Sequence, residues 1–196
     1  MMRFEQLNTV VSSIINWSNA ERASFFAMLH TARYQAGEYL IKKGESRDAV
    51  FFIVKGLTGN IIEDKHGNQF PVHLCFENDH VSSMVGFLND PSTTTNLVAL
   101  EDTDCIVIPR AALQWLYDNV EDGNKFGRIQ HERILSLLVK RQRINYIKDP
   151  LERLGLLQEI YPGIEKRISQ RFISALLKID QAHFSRLKTA IEKNTL

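Results

Sequence analysis

The chain has 196 residues, 44% of them hydrophobic and 24% charged, which suits a globular protein with one core, or one core and a small appended domain. No apolar run approaches the ~20 residues that a membrane-spanning helix needs, and the amphipathic N-terminus does not read as a signal peptide, so the cytoplasm is the expected compartment. The net charge of +1 hides an asymmetry: residues 1–120 carry 9 Lys and Arg against 14 Asp and Glu, and residues 121–196 carry 15 against 9, so only the C-terminal part is suited to meet a polyanion.

From about Arg3 to His30 the pattern is helical. Leu7, Val10, Val11, Ile14 and Ile15 recur at helical spacing, and Ser18 or Asn19 can cap a second short helix that carries Glu21 and Arg22 in its first turn. From Tyr34 to Arg110 short β-rich runs alternate with turn residues: EYLI, AVFFIV, LTGNIIE and QFPVHLCF, then Asn96–Leu100 and Asp104–Ile108. DKHGN, between two of these runs, reads as a hairpin loop with glycine available for a positive φ. Many short strands punctuated by Gly37, Gly44, Gly56, Gly59 and Gly67 predict an antiparallel barrel or jelly roll. Cys75 and Cys105 each fall in an expected strand and read as buried free thiols, too few for an iron–sulfur cluster, which needs about four thiolates.

After Ala111 the pattern returns to helix. AALQWLYDNV is one short helix, and Glu121 to Ile147 is read as a long one. Its apolar residues, Ile134, Leu135, Leu137, Leu138, Val139, Ile144 and Ile147, cover more than one face, which predicts a second copy of the chain as partner. In DPLERLGLLQEIYPG, Asp149 caps a helix, Pro150 opens it and Tyr161-Pro162-Gly163 stops it. Helices are then expected over Gln170–Leu177 and Gln181–Glu192, the second capped by Asp180. Ile173, Leu177, Ile179, Phe184 and Leu187 would form the small core of a steep crossing, with Ser174 small where the helices meet. That spacing is the spacing of a helix-turn-helix. Gln181, Ala182, His183, Ser185, Arg186 and Lys188 then face outward, and none is acidic.

A helical N-terminus, a glycine-punctuated β-roll, a long helix and a terminal helix-turn-helix, in that order, resemble the Crp/Fnr family of transcription regulators over nearly the whole chain. YQAGEYLIKKGESRDAVFFIVKGLTG looks like the start of a cyclic-nucleotide-binding roll, and KIDQAHFSRLK looks like the family's recognition helix. The resemblance implies an α+β fold: N-terminal helices and an antiparallel β-roll (jelly roll) acting as sensor over 1–120, a dimerisation helix over 121–148, and a DNA-binding helix-turn-helix over 149–196. It implies a homodimer on a near-palindromic operator of double-stranded DNA, with RNA polymerase as a further partner. Arg186 falls where the family places its base-reading arginine. Gln181 and His183 would help choose neighbouring bases, with Ala182 on the same DNA-facing side, Ser185 and Lys188 would hold phosphates, and Ser169 or Gln170 would anchor the first helix to the backbone.

Two departures from the family pattern stand out. Lys178 occupies the turn where the family usually has glycine, and a lysine in a left-handed conformation costs on the order of 1 kcal/mol. The short YPGIEKRI leaves little room for a β-wing. In the roll, the family's ribose-binding glutamate corresponds to Met84, its phosphate-binding arginine to Thr94 and the neighbouring hydroxyl residue to Thr95. No Arg or Lys occurs between Lys65 and Arg110, although a buried phosphate needs a cation. Cyclic AMP is therefore not expected as effector. Ser82, Ser83, Thr93, Thr94 and Thr95 offer hydroxyls to a neutral or weakly anionic ligand, and no cofactor is implied.

His66, His73 and His80 lie seven apart, which is not the two-residue step that puts metal ligands on one strand face, and they read as surface or loop residues. No nucleophile motif, phosphate loop or dinucleotide fingerprint is present, so a non-enzyme is expected. The competing reading is a ligand- or protein-binding sensor or adaptor that no longer binds DNA.

Overall fold

A computed structural model describes residues 4–45, 48–82 and 93–194. The chain forms two compact units, Met1–Glu132 and Arg133–Leu196.

The first unit opens with α1 (Glu5–Ser12) and α2 (Asn19–Ala27). Ser18 and Glu21 form a reciprocal capping box at the start of α2. The helical pattern read through Ile14 and Ile15 overshoots α1 by about a turn. Both residues lie beyond it, their N–H groups bonded to the Val11 carbonyl, and both are still buried.

The strands are β1 (His30–Tyr34), β2 (Tyr39–Ile41), β3 (Ala49–Lys55), β4 (Thr58–Glu63), β5 (Gln69–Cys75), β6 (His80–Val81), β7 (Asn96–Ala99) and β8 (Thr103–Pro109). They form two antiparallel sheets, ordered β1-β8-β3-β6 and β2-β7-β4-β5. The expected antiparallel roll is present. It begins at His30, not Tyr34: HTARY has no apolar run, because β1 is an edge strand whose residues are mostly exposed. The two-residue β6 is too short to show a period in the sequence.

The β3 run AVFFIV lacks alternation because both its faces are covered. Phe51 and Ile53, with Cys105 and Val107 of β8, pack against Leu40, Ile41, Leu97 and Ala99 of the other sheet. Phe52, Ile106 and Ile108 point the other way, into a core with Leu7, Val11, Phe25 and two further helices, α3 (Arg110–Asn119) and the start of α4 (Gly123–Gln142). In the β4–β5 hairpin, Asp64 accepts the N–H groups of His66 and Asn68, and Gly67 takes φ 79°, as the loop sequence predicts. Gly56, between β3 and β4, has φ 103°, and an added Cβ would lie 2.6 Å from the Asp102 carbonyl oxygen.

The second unit contains the end of α4, a 3₁₀ turn (Arg143–Asn145), α5 (Pro150–Ile160), a 3₁₀ turn within YPGIEKRI (Ile164–Lys166), α6 (Gln170–Leu177) and α7 (Gln181–Asn194). The long helix read as continuous to Ile147 gives way after Gln142. Pro150 forces the residue before it out of the helical region, and Asp149 sits extended at ψ 121° as the cap of α5. Ile144, Leu154, Leu157, Ile164, Leu177 and Phe184 are buried in this unit. Among the described residues no helix is long and apolar enough to cross a membrane.

Candidate functional site

The helix-turn-helix is built as its sequence suggests. Ser169 caps α6 by accepting the Phe172 N–H at 3.3 Å. Ile173, Leu176 and Leu177 are buried, and Ser174 is 3% exposed. The Ser174 hydroxyl donates back to the carbonyls of Gln170 (2.8 Å) and Arg171 (3.1 Å), so a small polar residue is buried at the crossing without a stranded donor. Three residues turn the chain. Lys178 adopts φ 54°, ψ 44°, its N–H bonds the Ala175 carbonyl, and the Ile179 N–H bonds the Ser174 carbonyl. This pair of bonds is a Schellman stop made with lysine in place of glycine.

Asp180 then caps α7, its carboxylate accepting the His183 N–H at 2.7 Å. That bond, opposed by some desolvation and helped by the charges of Arg186 and His183, holds the carboxyl below the ordinary aspartate range. Phe184 anchors α7 in the core at 1% exposure. Gln181, Ala182, Ser185, Arg186 and Lys188 are exposed and His183 is half-buried. Ser169 and Gln170 are exposed at the start of α6. From Gln181 to Ile191 no residue is acidic. A helix carrying arginine, lysine, glutamine and hydroxyl groups on its open side can donate to phosphates and to base edges. Sequence reading missed Arg153 of α5, whose guanidinium reaches the Leu177 carbonyl at 2.7 Å; nothing in its neighbours distinguishes it from a surface arginine.

The roll has a second candidate site, its interior. Thr58 pairs with Ala99 and Cys75, and Asn60 with Leu97 and His73, so Thr58 and Asn60 share the inward face of their sheet. Thr58 is fully buried and Asn60 is 8% exposed. The Thr58 hydroxyl has no hydrogen-bond partner among the described residues. Thr95 donates to the Asn60 side chain at 3.4 Å, and the Thr93 hydroxyl bonds the Thr95 carbonyl. Burial, with the Asp79 charge adding to it, pushes the Cys75 thiol well up, so it stays protonated at neutral pH. Thr58, Asn60 and the Cys75 thiol are thus uncharged at neutral pH.

Of the hydroxyl residues expected at an effector pocket, Thr93 is buried, Thr95 and Ser82 are half-buried, and Thr94 is exposed. Ser83 and Met84 lie outside the described residues. Thr58 and Asn60 were missed, although their two-residue spacing within TGNIIE was the available signal. The reading of all three histidines as surface or loop residues holds for His66 alone. His73 sits in β5 opposite Asn60, and His80 of β6 packs between the rings of Phe52 and Phe126, at centroid distances of 5.0 and 5.4 Å.

Residues 31–120 match the cyclic nucleotide-binding domain family. No curated protein matches the chain. Solved structures do. CLP, a c-di-GMP-responsive global regulator of Xanthomonas campestris, is 15% identical, with TM-score 0.68 over 91% of this chain and 94% of that one. FixK2 of Bradyrhizobium japonicum is 16% identical, with TM-score 0.72 over 85% and 86%. A protein of Eubacterium rectale ATCC 33656, described as a regulator of the Crp/Fnr family, is 14% identical, with TM-score 0.68 over 91% and 85%. At these identities the likeness is one of fold. The cyclic nucleotide-binding domain match covers residues 31–120, and over most of its length the chain shares its fold with CLP and FixK2.

Proposed function

We propose that this protein is a homodimeric, DNA-binding transcription regulator of the Crp/Fnr type, acting in the cytoplasm by binding and not by catalysis. The observation that carries the reading is α7: a helix anchored by buried Phe184 whose open side, with Arg186 at its middle, has no acid from Gln181 to Ile191. Arg186 reads a guanine, Gln181 and His183 bias the neighbouring bases with Ala182 beside them on the same open side, Ser185 and Lys188 hold phosphates, and Ser169 or Gln170 anchors α6 to the backbone. RNA polymerase is the proposed downstream partner.

Dimerisation through the segment 121–148 is supported by α4, where Leu135 (62% exposed), Leu138 (39%) and Val139 (56%) are open at i, i+3 and i+4. Two copies then read a near-palindromic site with half-sites about one helical turn apart. The effector of the 1–120 roll is an uncharged or weakly anionic molecule, not cyclic AMP. The support is the uncharged inward set Thr58, Asn60, Thr93 and Thr95 and the lack of any Arg or Lys between Lys65 and Arg110.

Selection of bound duplexes from a random pool, with and without a cell metabolite extract, tests the proposal. A recurring two-fold-symmetric sequence supports it. Failure to enrich any duplex leaves the sensor or adaptor reading.

A further inference from the structure

Lys178 holds a left-handed conformation that a side chain disfavours, and nothing within the turn itself offsets this beyond the two Schellman bonds. Those bonds use the carbonyls of Ser174 and Ala175 and leave the Leu177 carbonyl at the end of α6 still to be satisfied. Arg153, half-buried on α5, supplies the missing donor. Its Nη1 donates to the Leu177 carbonyl at 2.7 Å and lies 3.5 Å from the Lys178 carbonyl. The same guanidinium donates through Nε to the Ile147 carbonyl at 2.7 Å and through Nη2 to the Lys148 carbonyl at 3.3 Å. One planar group with five donors therefore joins the turn to the segment that leads into α5, and places a cation at the negative end of α6.

We propose that Arg153 is the positioning residue of the recognition helix: it holds the turn at Lys178, and so the entry of α7, in the geometry that a glycine would adopt unaided. Arg153 touches no groove-facing residue among the contacts that engage its guanidinium, so it acts on recognition through the turn. The inference rests on the DNA-binding reading for its consequence, but the clamp itself is independent of DNA.

The experiment uses the full chain with Arg153→Ala, Arg153→Lys, Lys178→Gly and the Arg153→Ala/Lys178→Gly pair. Affinity is measured for the selected duplex and for random duplex at several salt concentrations, alongside the thermal midpoint of each variant. Arg153→Ala is expected to weaken the selected duplex about tenfold while leaving the random-duplex affinity and the salt slope unchanged. Lys178→Gly alone leaves the affinity little changed and raises the midpoint slightly, by relief of the left-handed strain; in the Arg153→Ala background it restores most of the affinity and raises the midpoint by more, because glycine needs no clamp. Arg153→Lys, which keeps the cation but not the fork, falls between, and it carries the comparison if Arg153→Ala does not fold.

Equal loss on selected and random duplex with a salt slope lower by about one would mean that Arg153 binds a phosphate, and the proposal is wrong. Additive effects of the two substitutions on the midpoint would also overturn it. If the unsubstituted chain binds no duplex, the DNA-binding reading and Arg153's role in recognition fall together. The midpoint coupling then reports on the clamp alone.

Discussion

Gly123, at the start of α4, faces the backbone of Leu116 so closely that a β-carbon added to it would stand 2.1 Å from the Leu116 carbonyl oxygen. A backbone oxygen cannot swing aside as a side-chain end can. Gly123→Ala is therefore expected to cost about 3 kcal/mol and lower the thermal midpoint of the first unit. Gly155 is the internal contrast. It is exposed in the middle of α5, with nothing within 4 Å of an added Cβ, so Gly155→Ala is expected to stabilise the second unit by about 0.5–1 kcal/mol. Denaturant unfolding of the two variants checks both signs.

Arg186 is exposed on α7, away from the Phe184 anchor. Arg186→Ala is expected to cost ~1–3 kcal/mol on the selected duplex and to relax preference at one base position. Lys188→Ala should instead weaken all duplexes alike and lower the salt slope by about one. Binding competition over single-base variants of the site separates the two patterns. A uniform loss for Arg186→Ala would assign it to a phosphate.

Asp180 links stability to pH. Its folded-state pKa is depressed, first by the hydrogen bond from the His183 N–H. A depressed carboxylate contributes stability that is present above its unfolded pKa of ~3.9 and is lost as pH falls through the lower folded value. The cap on α7 should therefore hold at neutral and mildly acidic pH and fail only in strong acid. Asp180→Asn keeps a capping oxygen and removes the titration. The midpoints of the two proteins should diverge on acidification through that window, and parallel curves would show that Asp180 is not linked.

Leu135 and Val139 lie one turn apart on α4 and are both open to solvent. Leu135→Asp/Val139→Asp is expected to give a monomer in sedimentation equilibrium and to abolish preference for a two-fold site over a single half-site. The near-UV circular dichroism of the roll should not change. A double variant that remains dimeric would place the seam elsewhere.

Thr58 is fully buried on β4, its hydroxyl without a partner among the described residues. Replacing an unsatisfied buried hydroxyl by a methyl of similar shape removes a desolvation penalty. Thr58→Val is therefore expected to stabilise the roll by about 1 kcal/mol. Calorimetric unfolding reads the sign, and a lower midpoint would show that the hydroxyl is bonded.

Local chemistry was legible in the one-dimensional pattern wherever a few neighbouring residues determine the outcome. Asp149-Pro150 set one helix start, Ser169 and Asp180 set two more, and the DKHGN loop set a hairpin with Gly67 at positive φ. The crossing of α6 and α7 was readable for the same reason: its core of Ile173, Leu177 and Phe184 recurs at helical spacing within a dozen residues.

Contacts between distant segments decided the rest. β1 has no apolar run, and only its pairing with β8, some seventy positions away, makes it a strand. Thr58 and Asn60 became interior groups because β7 and β5 flank β4 and the other sheet covers that face, and Arg153 became a clamp because its guanidinium reaches the turn at Lys178. Capping and periodicity act within about one helical turn, so they leave a trace in adjacent letters. Sheet pairing and a side chain's choice of distant carbonyl are settled only when the chain closes on itself, and no local pattern records them.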